Sequence, residues 1–364
     1  MTDSSRGSWR EINQRVESAY TATLAKIHVG HGVGRMALLL AATFAFFAIL
    51  KPGVFLSPVN LQNIALVAPE IGLLALAVMI AMLTGGIDLS VVAIANGTAI
   101  TVSSLYSAVL SSQGQETADS MAPLILIAGV AVGVALGAIN GVLVSVVGIT
   151  PILATLGTMQ LYNGLAIVWT GGVTVSGAPS RLTSMGTAKF LGIPVLLLIL
   201  IAAAVVLAVL INRTGIGRKI ALQGANPVAS KYSGISARST LMMTYVTSGL
   251  LAAIAGLVIV SRSSAASPDY GSSYVLLVIV IVVLGGTNPN GGYATVLGVI
   301  LATLTLQVLS SGFTAMRLSA YQYAIAQGVI LVGVMVLDQV KFKKRKRRPT
   351  TSTPENASVA EVRT

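Results

Sequence analysis

The chain has 364 residues, of which 54% are hydrophobic and only 9% charged, with a formal net charge of +12. Soluble domains carry about 25% charged residues, so this chain has too few to coat a water-exposed surface, and lipid or its own helices must solvate most of it. The absence of cysteine excludes a disulfide framework and any cysteine-based metal or nucleophile site, and the two histidines, His28 and His31, sit close together in a polar N-terminal segment that offers no metal cluster.

Residues 1–32 contain no apolar run of the length a cleaved signal needs, so they read as a cytoplasmic segment ahead of a retained first anchor. A span needs about 20 mostly apolar residues to cross about 30 Å of hydrocarbon. Ten segments qualify: 33–51, 61–83, 89–110, 122–147, 151–170, 190–211, 239–261, 273–289, 293–312 and 319–338. The last three are closely spaced, so nine or eleven spans also fit the run of apolar residues.

Charge placement favours an even number. Lys and Arg accumulate in short cytoplasmic segments. The N-terminal segment carries Arg6, Arg10, Arg15, Lys26 and Arg35, and the loop after the sixth span carries Arg213, Arg218, Lys219, Lys231 and Arg238. The tail carries Lys341, Lys343, Lys344, Arg345, Lys346, Arg347, Arg348 and Arg363. Ten spans put all three on one side, with both termini cytoplasmic. Lys51, Arg181, Lys189, Arg262 and Arg317, with the acidic Glu116, Asp119 and Asp269, then fall to the opposite loops. The run Lys341–Arg348 could be a nucleic-acid patch by itself. Directly after a span it reads as a topology anchor on anionic lipid, and residues 339–364 as a basic, disordered tail.

Within the spans, polar side chains are few. In chain order they include Asn63, Glu70, Asn96, Asn140, Gln160, Asn163, Gln307, Gln322 and Gln327. Amides both donate and accept hydrogen bonds, which suits a polar solute. They serve equally as interhelical glue, worth about 0.6 kcal/mol per bond. Glu70 follows Pro69 near mid-depth of the second span, where an ionisable group is costly and usually functional or paired. Asp88 precedes the third span and can cap its N-terminus or gate a pathway; the capping reading weighs more. Trp169, near a span end, fits an interfacial anchor better than a stacking platform for a solute.

The loop after the sixth span, 212–238, is too long for a tight turn. Asn226 can cap a helix, Pro227 suits its first position and Gly234 its left-handed stop. They frame about two turns that are marginal alone and must pack on lipid or on a protein partner. No phosphate-binding G-x-x-x-x-G-K-[ST] loop, G-x-S-x-G, H-E-x-x-H or paired-carboxylate arrangement occurs, so an enzyme reading has no residues to rest on.

Several segments together resemble a known family. Thr84-Gly85-Gly86-Ile87-Asp88-Leu89-Ser90 is similar to the T-G-G-I-D-L-S signature of ABC importer permeases in the ribose, xylose and autoinducer-2 group. Leu284-Gly285-Gly286-Thr287 with Gly291-Gly292 resembles its L-G-G-T-x-x-x-G-G element. Thr155-Leu156-Gly157-Thr158, Ser248-Gly249-Leu250-Leu251-Ala252 and the 212–238 loop also match, all in family order across roughly 55–340. Two departures stand out: Tyr274–Leu284 lacks the acidic residues often found there, and Tyr293 follows Gly291-Gly292 where Arg or Lys is common.

The resemblance implies an all-α polytopic membrane protein with about ten transmembrane helices, of the ribose- and vitamin-B12-permease-like type, in residues 33–338. It implies a bacterial inner-membrane permease that conducts a monosaccharide or a related small polyol or sugar signal and is not itself an enzyme. The implied partners are a second permease subunit, an extracytoplasmic sugar-binding protein and a cytoplasmic ATP-binding subunit, with ATP and Mg held by that subunit, no cofactor or metal on this chain and no nucleic acid. Gly224, Asn226, Pro227, Ala229, Ser230, Tyr232, Ser233 and Gly234 would couple to the ATPase. Gly85, Gly86, Asp88, Ser90, Gly285, Gly286, Gly291 and Gly292 would form the signature and gating elements. The alternative is an ion-coupled secondary transporter, which needs intramembrane ionisable relays; Glu70 is the one deep carboxylate on offer.

Overall fold

The computed structural model describes residues 31–319, together with positions 321–326, 328, 329 and 332. The polar N-terminus to residue 30, the basic tail and Gln327 lie outside the described residues. The tenth expected span falls in a second unit that begins at Ala320, of which only the scattered positions from 321 on are described, all helical.

Among its described residues the first unit is helical almost throughout. Its helices are α1 (His31–Leu50), α2 (Pro52–Phe55), α3 (Pro58–Leu83), α4 (Val91–Ser120), α5 (Ala122–Val142, extended by a π-turn over Leu143–Val147), α6 (Pro151–Thr170), α7 (Ser180–Thr187), α8 (Val195–Arg213), α9 (Gly215–Ala225), α10 (Pro227–Tyr232), α11 (Ala237–Ser263), α12 (Tyr274–Leu284) and α13 (Val296–Ala315). Among the described residues eight helices have the length and composition to cross a membrane, and α12 is apolar but shorter. The expected span 273–289 is therefore helical only to Leu284, a half-span of 11 residues. Four short strands accompany the helices: β1 (Val175–Ser176) pairs antiparallel with β4 (Ala265–Ala266), and β2 (Lys189–Phe190) with β3 (Ile193–Pro194).

The centre is α3, buried without interruption from Ala68 to Leu83. Apart from Glu70 this stretch is apolar all round, as a helix surrounded by other helices must be. Its start is set by Ser57, whose Oγ accepts from Asn60 N, with Pro58 in the first turn. The helices α8, α11, α12 and α13 pack against it. On its outer side α8, like α6, keeps large apolar side chains exposed, among them Leu153, Leu161, Val168, Val205 and Val206, a surface suited to lipid or another membrane subunit.

Small residues allow the closest approach. A Cβ on Gly137 of α5 would stand 2.6 Å from the Tyr245 carbonyl and 2.8 Å from the Gly249 Cα of α11. Without a hydrophobic drive between helices in lipid, such backbone-to-backbone contact supplies the van der Waals attraction.

Candidate functional site

The 212–238 loop folds into two helices where the sequence reading framed one. Thr214 starts α9, its Oγ1 accepting from Gly217 N at 3.2 Å. Asn226 starts α10, its Oδ1 accepting from Ala229 N at 3.0 Å, with Pro227 in the first turn. Gly234, at φ +76°, ends it, and Ile235 N returns to Ser230 O at 3.1 Å. On α10 the side chains of Pro227, Val228, Ala229, Lys231 and Tyr232 face outward, followed by Ser233 and Gly234. Tyr232 is 89% exposed.

Two of the residues expected on this outward surface face inward. Ser230 is buried. Gly224 is enclosed because a Cβ there would overlap the Leu83 carbonyl and stand 2.7 Å from Gly292 N. It belongs to a joint of three chain segments. Gly292 N donates to Leu83 O at 2.9 Å, and a Cβ on Gly291 would come within 2.7 Å of Gly85 N and 2.8 Å of the Gly224 carbonyl. Gly85, Gly291 and Gly292 all have φ above +80°, the left-handed region that glycine enters freely. Two signature elements and the loop between α8 and α11 thus meet backbone to backbone. Gly285 makes a separate close approach, to Val299 of α13, and Gly286 takes φ +87° in the turn that follows.

Just beyond the joint, a fully buried Asp88 collects the remaining motifs. Its Oδ1 accepts from Ser90 N at 3.0 Å and Ser90 Oγ at 2.7 Å, and its Oδ2 accepts from Ser248 Oγ at 2.9 Å. Ser90 Oγ accepts from Asn140 Nδ2 at 2.7 Å, and Asn140 Oδ1 accepts from Thr158 Oγ1 at 2.7 Å. Thr155 Oγ1 accepts from Leu89 N at 3.2 Å. Asp88 therefore does not cap α4, whose cap position is Ser90 with no side-chain cap bond; it takes the N–H of Ser90 two residues on and also crosses to α11. The buried hydroxyl of Tyr245 has no partner and would lie 3.0 Å from a Cβ on Gly86.

The third cluster surrounds Glu70, near the middle of α3. Arg262 Nη1 donates to Glu70 Oε2 at 2.6 Å. Glu70 is fully buried, whereas the Arg262 side chain is 29% exposed. The phenols of Tyr270 and Tyr274 stand beside the same carboxylate, their rings edge to face at 6.1 Å. Arg262, assigned from charge counting to an outer loop, lies in the last turn of α11 instead. Tyr274, the first residue of α12, thus stands beside a carboxylate carried by the facing α3.

The other expected pathway residues scatter. Asn96 Nδ2 donates to the carbonyls of Pro268 and Tyr270 at 3.0 and 2.9 Å, and so holds backbone. Asn140 is committed to the Asp88 network. Gln307 is buried in α13, Asn163 half-buried, and Asn63 and Gln160 exposed. Gln322 lies in the second unit. Trp169, on α6, is exposed. Sequence reasoning gave no role to Arg262, Tyr245, Tyr270 and Tyr274, which fall in no motif; contacts between distant segments bring them to the site.

Known proteins resemble the chain over most of its length. The sequence model of a family described as branched-chain amino acid transport system / permease component matches residues 60–337. The ribose import permease protein RbsC of Bacillus subtilis (strain 168) is 35% identical over 81% of this chain and 88% of its own length. The D-allose transport system permease protein AlsC of Escherichia coli (strain K12) is 30% identical over 84% and 91%. The autoinducer 2 import system permease protein LsrC of Enterobacter sp. (strain 638) is 32% identical over 83% and 84%. No solved structure matches.

Proposed function

This chain belongs to the permease family of ATP-binding-cassette importers, in its ribose and autoinducer-2 branch, and from that premise we propose how it works. It is the membrane-spanning subunit of an importer for a monosaccharide or related polyol, residing in a bacterial inner membrane with both termini cytoplasmic. The working body is 33–338, between the cytoplasmic segment 1–32 and the basic tail 339–364. A cytoplasmic ATPase carries ATP and Mg, an extracytoplasmic binding protein delivers the sugar, and a second permease subunit completes the pathway.

The observation that carries this reading is the division of labour between α9 and α10. The end of α9 is wedged at Gly224 against Leu83 and Gly292, while α10 offers its side chains to a partner. A push on α10 is therefore delivered to the end of α3 and to the turn between α12 and α13. Gly85, Gly86, Gly291 and Gly292 form the hinge that receives it, and Asp88 with Ser90 ties the next layer together. Such a joint is a two-state element that a nucleotide-driven partner can bias.

The ion-coupled alternative loses its main support. Glu70, the carboxylate it requires, already has Arg262 as counter-ion. The test is uptake of ribose, allose or autoinducer-2 by the chain reconstituted with ATPase and binding protein. We expect uptake to stop with a hydrolysis-dead ATPase. Uptake that persisted there and collapsed with an ionophore would return the assignment to a secondary transporter.

A further inference from the structure

Between α11 and α12 the backbone leaves helical form over residues 264–273. The first residues of this break pair with β1 in the loop after α6, and from Pro268 on it lies deep in the bundle. Asn96, in the second turn of α4, holds the carbonyls of Pro268 and Tyr270. Glu70, near the middle of α3, lies beside Tyr270 and Tyr274. Helix α12 then descends to the glycine joint, and its 11 residues span about 16 Å at 1.5 Å per residue. The end of the break, from Pro268 to Tyr274, is thus near half the depth of a hydrocarbon layer about 30 Å thick.

Irregular backbone at that depth is tolerated only inside protein or against water, because lipid cannot satisfy its polar groups. Part of this break is inside protein: Ala266 and Pro268 are buried. The rest is not. Asp269, Ser272 and Ser273 are exposed, Gly271 turns at φ +64°, and Tyr270 and Tyr274 are half-buried. An exposed carboxylate and two exposed hydroxyls at mid-depth exclude a lipid-facing surface.

We infer that the break at Asp269–Tyr274, backed by the Glu70–Arg262 pair, lines the water-filled pathway and forms a station for uncharged polyols. The inference rests on the transport reading above. The chemistry follows from the groups present. The Asp269 carboxylate can accept from two adjacent hydroxyls, and Ser272 and Ser273 both donate and accept. The Tyr270 and Tyr274 rings can cover the C–H face of a sugar ring. Arg262 adds donors, but its charge is matched by Glu70. Asp269 has no ion-pair partner among the described residues, so the station is net negative and disfavours sugar acids and sugar phosphates.

The test uses the chain's lack of cysteine. In the full complex with ATPase and binding protein in proteoliposomes, single Ser272→Cys and Ser273→Cys variants are treated with membrane-impermeant cationic and anionic methanethiosulfonates, and modification of this subunit is followed by mass. Val205→Cys on α8, exposed among apolar neighbours, is the lipid-facing control. We expect both serine positions to react at least tenfold faster than Val205→Cys. The cationic reagent should lead the anionic one by severalfold, and adding Asp269→Asn should erase that preference. Reaction at the rate of the Val205→Cys control would overturn the placement of the break in water. Equal rates for the two reagents would overturn the charge selectivity. Either failure, with binding-protein-stimulated ATP hydrolysis intact, leaves the transport reading standing. Loss of that stimulation with the labelling pattern preserved would do the reverse.

Discussion

Ser248 Oγ donates to Asp88 Oδ2 at 2.9 Å across 160 positions of sequence, joining α11 to the signature segment ahead of α4. The carboxylate is fully buried and depends on the donors around it. Hydrogen bonds to charged groups contribute about 1.5–3 kcal/mol. Ser248→Ala is expected to destabilise the subunit by that order, and Ser248→Thr by less, as read by thermal unfolding in detergent. Residues in one network couple, so Asp88→Asn combined with Ser248→Ala should cost less than the two single changes added together. Strict additivity would mean that the contact contributes nothing.

The glycine joint makes a contrast within one helix. Gly224 and Gly215 both belong to α9, but a Cβ at 224 meets backbone atoms of Leu83 and Gly292, which cannot swing aside, while a Cβ at 215 meets open space. Overpacking of this kind costs about 1–3 kcal/mol. Gly224→Ala should lower the midpoint of unfolding and loosen α9 in hydrogen exchange. Gly215→Ala should leave both unchanged.

How much of this could be read in advance depended on whether the determining interaction was local. The start and stop of α10 follow from Asn226, Pro227 and Gly234, which act within a few residues, and they were legible. The long spans were legible from apolar length. The half-span α12 was not, because an apolar run has the same composition whether the helix crosses fully or stops at a turn; 273–289 read as one segment, yet its last residues form the turn at Gly285 and Gly286. Side-chain roles were the least legible. Asn96 and Asn140 stand out in the sequence as amides within spans and as pathway candidates, but one holds the backbone of a break and the other a buried network, and nothing in the residue type separates these. The Glu70–Arg262 pair spans 192 positions and is visible only in three dimensions.

The outward face of α10 separates docking from folding. Tyr232 is 89% exposed, so Tyr232→Ala should leave the unfolding midpoint of the isolated subunit within experimental error. If this face seats in the ATPase, a central aromatic anchor is worth about 2 kcal/mol of binding, or ~30-fold in affinity. Titration of ATPase onto the permease in nanodiscs measures it. Asn226→Ala removes the cap at the start of the same helix, worth about 1 kcal/mol, and should give a smaller loss in the same assay. Unchanged affinity in both variants would remove α10 as the docking element.

Arg262 and Glu70 present the reverse case, in which one partner is worth little without the other. Removing the arginine leaves a carboxylate buried in α3 with no counter-charge, and breaking a buried pair in this way costs about 3–5 kcal/mol. Arg262→Ala should therefore express poorly and unfold early in detergent. Neutralising the stranded partner removes the reason for the loss, so Glu70→Gln in the same chain should recover most of the stability. If stability is all the pair provides, recovery of the unfolding midpoint should bring recovery of uptake. If the pair also shapes the break at Asp269–Tyr274, the double variant will be well folded and still import slowly. Unfolding curves and uptake rates taken on the same preparations decide between the two, and we expect the second outcome because Tyr270 and Tyr274 stand beside the Glu70 carboxylate on the segment that the pair supports.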